Sequence, residues 1–332
     1  MEATRRDMMG IAGAAATAAV LSGGALAQGA AGAAHKLGSA SKTLYWVATV
    51  TPCNANGQID YGALRAIMQF HKQAGADGVV VLGTSGEFPS YSVAERKQVA
   101  EVAMQNKNGM NMMMNPGTPN IAETVDLSKH AESIGYDGML VIPPFYFNNP
   151  GLNGLTRYYS MLFDQVGLPI SLYHIPGTRE VPITIDLLKA LYHYETLAGI
   201  KDSSGNKEGY AEFVKAFPAL NMRTGTGSNL EPALENGMGA ILAEGNWFSA
   251  ACADIFKTYR AKGDWKASLA TMNRKAGALF GAIRSVGFES SLPFIMSVQM
   301  GGPAFFGRAP LGLPDADAQA AIRAAYAKAK DA

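Results

Sequence analysis

The chain has 332 residues, 48% hydrophobic and 17% charged, which supplies enough apolar material for a large folded core and excludes a disordered chain. Its formal net charge of +1, with basic residues scattered rather than gathered in a stripe, provides no field for attracting nucleic acid or an anionic membrane. The two cysteines, Cys53 and Cys252, and the five histidines stand in no metal-ligand spacing, so no metal site is expected.

At the start, Arg5 and Arg6 precede a small-residue apolar run over 10–27 that closes on Ala25-Leu26-Ala27. Paired arginines, a weakly hydrophobic run and a small-x-small end are the pattern of a twin-arginine export signal, with cleavage expected after Ala27. The alternative, a membrane-anchoring helix, is disfavoured because the run is barely long enough to span and only weakly apolar. Residues 28–43 read as a flexible segment, and the mature protein is expected in the periplasm with no membrane attachment.

From residue 44 short apolar runs alternate with longer amphipathic stretches, which is the signature of strand-helix units and a parallel sheet. The expected strands are 45–51, 78–82, 110–114, 138–142, 170–173, 197–201, 222–225 and 240–244. Between them, Asp60 precedes a helix over 61–74, Ser92 with Glu95 three residues on precedes one over 93–106, and Thr184 precedes one over 185–194. Eight such units predict an α/β fold, a (β/α)8 TIM barrel over 44–255 with a C-terminal helical extension over 256–332. Breaks at Gly301-Gly302-Pro303 and between Pro310 and Pro314 divide that extension. An open doubly wound sheet is the second reading, disfavoured because Thr51-Pro52-Cys53-Asn54, rather than a glycine-rich dinucleotide turn, follows the first strand. The methionine cluster Met110, Met112, Met113 and Met114 reads as the core of the third strand.

In a barrel, chemistry gathers at the carboxyl ends of the strands. Lys201 ends the sixth apolar run. Burial there disfavours a charged amine and frees it to attack a carbonyl; the alternative is a lysine paired with Asp202 or Glu244 for stability. Tyr173 ends the fifth run, where a phenol relays protons or simply packs in the rim. Gly83-Thr84-Ser85-Gly86-Glu87 follows the second strand, and its hydroxyls and backbone N–H groups form a carboxylate cradle or a plain tight turn. Tyr146, in Pro143-Pro144-Phe145-Tyr146-Phe147, belongs to an aromatic rim suited to packing against a second subunit. Cys53 and Cys252 follow neighbouring strands of a closed barrel, which leaves bridged and free thiols both open.

Gly83-Thr84-Ser85-Gly86-Glu87, Tyr173-His174-Ile175-Pro176 and Gly199-Ile200-Lys201-Asp202-Ser203-Ser204-Gly205-Asn206 resemble the three signatures of the dihydrodipicolinate synthase / N-acetylneuraminate lyase family, in order, across roughly 44–330. The resemblance implies a class I lyase, an aldolase or dehydratase acting on pyruvate or a related 2-oxo acid. It makes Lys201 the Schiff-base lysine, Tyr173 the proton-transfer tyrosine and Thr84 with Ser85 the carboxylate binders. It also makes Tyr146 a tyrosine that reaches a neighbouring subunit's site, and Ile241 a residue whose backbone carbonyl faces the lysine. His174 and Gly225 complete the expected substrate contacts. The imine is formed by the protein itself, so no cofactor is implied, and a homo-oligomer, dimer or tetramer, is expected.

Departures from the family pattern bear on substrate. Pro176-Gly177-Thr178-Arg179 displaces by one position the arginine usual in dihydrodipicolinate-forming members, His174 stands where asparagine is usual, and Asn115-Pro116-Gly117 replaces a glycine-rich turn. Aspartate semialdehyde is a cytosolic intermediate that an exported enzyme would not meet. Dihydrodipicolinate synthesis is therefore an alternative reading, beside a non-catalytic periplasmic 2-oxo-acid-binding protein.

Overall fold

The computed structural model describes residues 44–178, 181–283 and 286–331; the expected signal and flexible segment, and Arg179, lie outside them. Eight parallel strands run in chain order around a closed barrel: β1 (Tyr45–Ala48), β2 (Gly78–Val81), β3 (Asn111–Met114), β4 (Gly138–Val141), β5 (Ile170–His174), β6 (Leu197–Asp202), β7 (Asn221–Thr224) and β8 (Ala240–Leu242). Closure is made by β1 on β8, with Trp46 opposite Ile241. Strands buried on both faces need no polar alternation, which is why Val79-Val80-Val81 and Met112-Met113-Met114 form them. All eight expected strands are present, several shorter at their carboxyl ends, where the chain turns into loops.

The crossover helices are α1 (Tyr61–Gln73), α2 (Val93–Gln105), α3 (Ile121–Ser133), α4 (Gly151–Phe163), α5 (Ile185–Leu191), α6 (Lys207–Ala216), α7 (Leu230–Glu235) and α8 (Gly245–Arg260). The predicted caps are made: Asp60 accepts from the Ala63 amide, Ser92 and Glu95 form a reciprocal capping box, and Thr184 accepts from the Leu187 amide. Each such cap contributes about 1 kcal/mol and fixes where its helix begins. Leu64, Val99 and Leu127 pack one half of the helical ring onto the sheet, and Tyr159, Leu187 and Phe213 the other. Each fully buried side chain of this size contributes roughly 1.5–3 kcal/mol.

Beyond α8 the chain adds α9 (Trp265–Ile283), α10 (Phe288–Met300) and α11 (Ala316–Asp331). The expected boundary after residue 255 falls inside α8, whose backbone kinks at Phe248 before continuing to Arg260. Trp247, Leu279, Phe294 and Ile322 form the core between α8 and these added helices. The segment after α10 returns to the barrel mouth, where Phe306 and Cys53 exchange backbone hydrogen bonds of 2.9 Å. Cys53 and Cys252 are both free and buried.

Candidate active site

The β5–β6 register pairs Tyr173 with Lys201, and two residues paired on parallel strands point to one face. Both side chains therefore enter the mouth of the barrel, where Lys201 is 4% and Tyr173 2% exposed. Lys201 Nζ donates to Tyr173 Oη at 3.2 Å, and Thr84 Oγ1 donates to the same oxygen at 3.4 Å. With two donors on it, the phenol keeps its own O–H for a third group. The Lys201 ammonium position also lies 4.3 Å from the Tyr173 ring centroid.

Two glycines let the lysine take this place. Gly199 has φ +148°, and a Cβ there would overlap the Asn221 backbone, so only glycine allows β6 and β7 this approach. At Gly225 a Cβ would overlap Ser203 Oγ and come within 2.6 Å of Lys201 Cε. The Gly225 amide meanwhile donates to Asp202 O at 2.6 Å, which fixes the turn after β7 against the end of β6.

Among the described residues no carboxylate forms an ion pair with Lys201. Asp202 points to the opposite face, where Oδ1 accepts from the Ser204 amide at 2.7 Å. Glu244 lies on the cavity wall with Oε1 accepting from the Gly227 amide at 3.2 Å. Burial raises the Glu244 carboxyl above its ordinary range, against the opposing pull of the Lys201 charge.

The loop Gly83–Glu87 is held rigidly beneath Thr84 and Ser85. Thr51 Oγ1 donates to Gly86 O at 2.9 Å, and the Glu87 amide donates to Thr84 O at 3.0 Å. Leu82 and Glu87 flank this turn with φ of 56° and 53°, left-handed values that non-glycine residues adopt at a cost. Glu87 Oε2 then accepts from the Arg308 amide at 2.7 Å, so the loop is tied to the C-terminal segment. Burial pushes the Glu87 carboxyl up to about 7.

Lys201, Tyr173, Thr84, Ser85 and Gly225 all line one cavity of about 470 Å³. His174, Ile241 and Tyr146 are not among the residues that line it. His174, one residue past Tyr173, faces outward; its Nδ1 accepts from the Ile183 amide at 3.1 Å and its ring packs on Phe213. Successive residues on a strand point to opposite faces, so His174 cannot share the Tyr173 position. Ile241 is fully buried within β8 and is not part of the cavity lining. Tyr146 is 78% exposed on the outer surface, edge-on to Phe147.

Sequence reasoning missed the opposite wall. Ser203 and Ser228, in the loops after β6 and β7, face the cavity, as their positions past strand ends imply. Asn273 and Phe280 of α9 and Glu289 of α10 complete it, and no local pattern announced that these added helices cover the mouth.

An amine, a phenol and a hydroxyl in hydrogen-bonded series at the base of a cavity form the set required for imine chemistry. Comparison decides the family, because residues 43–328 match the Dihydrodipicolinate synthetase family. The chain belongs to the dihydrodipicolinate synthetase family. It is a lyase of this family, whose members act on pyruvate through a lysine Schiff base without a metal. An uncharacterized DapA-like lyase of Chloroflexus aurantiacus is 32% identical over 285 residues, 84% of this chain and 94% of its own. The 4-hydroxy-tetrahydrodipicolinate synthase of Acidiphilium cryptum is 30% identical over 231 residues, 69% of this chain and 78% of its own. The crystal structure of YagE from E. coli K12 in complex with pyruvate superposes with a TM-score of 0.79 at 24% identity, covering 86% of this chain and 98% of that one, and shows the same fold.

Proposed function

We propose that this family member is an aldolase or dehydratase that joins pyruvate, or a related 2-oxo acid, to a partner recognised by its hydroxyl groups. Lys201 Nζ attacks the 2-oxo carbon, forming the C–N bond. Tyr173 delivers a proton to the carbonyl oxygen and, after a second protonation, that oxygen departs as water to leave the imine. Thr84 holds the Tyr173 phenol in place and, with Ser85, receives the substrate carboxylate.

The composition of the far wall carries the choice of partner. Among the described residues its ionisable groups are Glu244 and Glu289, accompanied by Ser203, Ser228 and Asn273. Substrate hydroxyls donate to such carboxylates, whereas a second substrate carboxylate meets like charge in a partly dry cavity, where repulsion is screened less than in water. This disfavours aspartate semialdehyde, and with it 4-hydroxy-tetrahydrodipicolinate synthesis.

The test begins with trapping. Borohydride reduction in the presence of pyruvate should leave a pyruvyl adduct on Lys201 by peptide mapping, and Lys201→Ala should lose both adduct and turnover while remaining folded. An active Lys201→Ala protein refutes the Schiff-base role. Condensation rates of trapped-competent enzyme with hydroxyaldehydes and with aspartate semialdehyde then decide the partner; a preference for the semialdehyde refutes the hydroxyl reading.

We also propose that the protein works in the periplasm after twin-arginine export and cleavage following Ala27. The motif of Arg5 and Arg6 before an Ala- and Gly-rich run supports this. Protein recovered from the periplasm should begin at Gln28 by intact mass; retention of the first residues in the cytoplasm counts against export. A homo-oligomer, dimer or tetramer, is supported by the exposed rim of Tyr146 and Phe147, 78% and 66% accessible in the single chain.

A further inference from the structure

Beneath the lysine the barrel interior contains polar groups that the imine chemistry does not use. Lys201 pairs with Arg223 across β6 and β7, Gly199 pairs with Asn221 on the same face, and Ser171 of β5 pairs with Gly199 from the other side. Ser171, Asn221 and Arg223 thus converge on the interior around a glycine that contributes no side chain. From β1, the Trp46 ring reaches the same place, its centroid 5.5 Å from the Arg223 guanidinium carbon. All four residues are 0% exposed.

Among the described residues none of these side chains has a protein hydrogen-bond partner for its polar atoms. All three guanidinium nitrogens of Arg223, both amide atoms of Asn221, Ser171 Oγ and Trp46 Nε1 are without a hydrogen bond among the described residues. No carboxylate forms an ion pair with Arg223 there either. Burial lowers Arg223 to about 10, which leaves it cationic at neutral pH.

A guanidinium taken out of water without a counter-charge is costly, and one cation–π contact does not offset it. The cluster is also rich in donors: the guanidinium, amide, indole and hydroxyl N–H and O–H groups outnumber the acceptors Asn221 Oδ1 and Ser171 Oγ. Water would satisfy hydrogen bonds and leave the charge; an anion satisfies both. All four side chains are fully buried, so the smallest anion displaces the packed interior least, which favours a single-atom ligand over a carboxylate.

We propose that Arg223, Asn221, Ser171 and Trp46 form an internal binding site for a monatomic halide anion, separate from the cavity that receives the 2-oxo acid. The anion neutralises the buried Arg223 guanidinium and ties β1, β5 and β7 together within the barrel. The site is independent of which substrate the mouth accepts.

Two measurements test it. Crystals grown with bromide as the halide should give an anomalous peak within hydrogen-bonding distance of Arg223. Density fitting water alone, or a guanidinium turned onto a protein acceptor, overturns the proposal. In solution, replacing gluconate by chloride at constant ionic strength should raise the Tm of the full chain by about 5 °C as chloride passes well above its Kd. Arg223→Met, which keeps length and apolar bulk, should lose that dependence. A wild-type Tm indifferent to chloride, or an Arg223→Met protein that retains the response, overturns it; the wild-type arm stands even where the variant does not fold.

Discussion

Tyr173 occupies the junction of the site because its oxygen accepts from both Lys201 and Thr84. Tyr173→Phe keeps the ring against Lys201 but removes the relay, so kcat for imine formation should fall by roughly 10² to 10⁴ while pyruvate binding changes far less. Stopped-flow reduction of the imine measures this, and an unchanged rate removes Tyr173 from the proton path. At this scale the sequence was legible wherever a residue follows directly from a strand end. Lys201, Tyr173, Thr84, Ser85 and Gly225 were expected and are together. His174 was misassigned because adjacency in sequence is opposition on a strand, a rule of period two that the strand assignment already contained. Arg223 and Asn221 gave no signal, since polar residues within a short strand break the apolar pattern by which buried strands are recognised.

Between elements, the tie from the Gly83–Glu87 loop to the C-terminal segment runs through Glu87. Its carboxyl is raised from 4.5 to about 7, chiefly by burial. The folded protein therefore binds more protons than the unfolded chain between pH 4.5 and 7, and this group's contribution to stability declines as pH rises through that window. The full decline is on the order of 3 kcal/mol. Glu87→Gln retains an acceptor for the Arg308 amide and removes the titration. Its unfolding free energy in urea should gain on wild type between pH 4.5 and 7.5, and parallel curves would show that Glu87 does not titrate in this range. Arg308 closes the same junction: its guanidinium donates to Gly57 O at 2.8 Å and pairs with Glu95 at 2.8 Å. Elements were readable where caps and apolar runs agree, as at Asp60, Ser92 and Thr184. The docking of α9 and α10 over the mouth was not, because it depends on tertiary packing around Trp247 and Phe294 rather than on any local period.

For the whole molecule, Tyr146 and Phe147, edge-on to each other, leave a large aromatic surface in water. Single exposed apolar residues are ordinary, whereas an adjacent exposed aromatic pair is the surface on which the proposed oligomer is tested. Light scattering at micromolar concentration should give a dimer or tetramer, and Tyr146→Ala should shift the protein toward smaller species. A monomeric wild type would leave Tyr146 without the neighbour that its expected role requires.

The two walls of the cavity come from different parts of the chain. Strand ends and the loops after them carry the amine, the phenol, the Thr84 and Ser85 hydroxyls, Ser203, Ser228 and Glu244, while Asn273, Phe280 and Glu289 face them from α9 and α10. Mutations in Asn273, Phe280 or Glu289 can therefore exchange one partner for another without touching the groups that make and break the imine. Such a division lets substrate range drift under selection while the chemistry stays constant, and it marks the face of α9 as the place to begin when redirecting the enzyme to a new aldehyde.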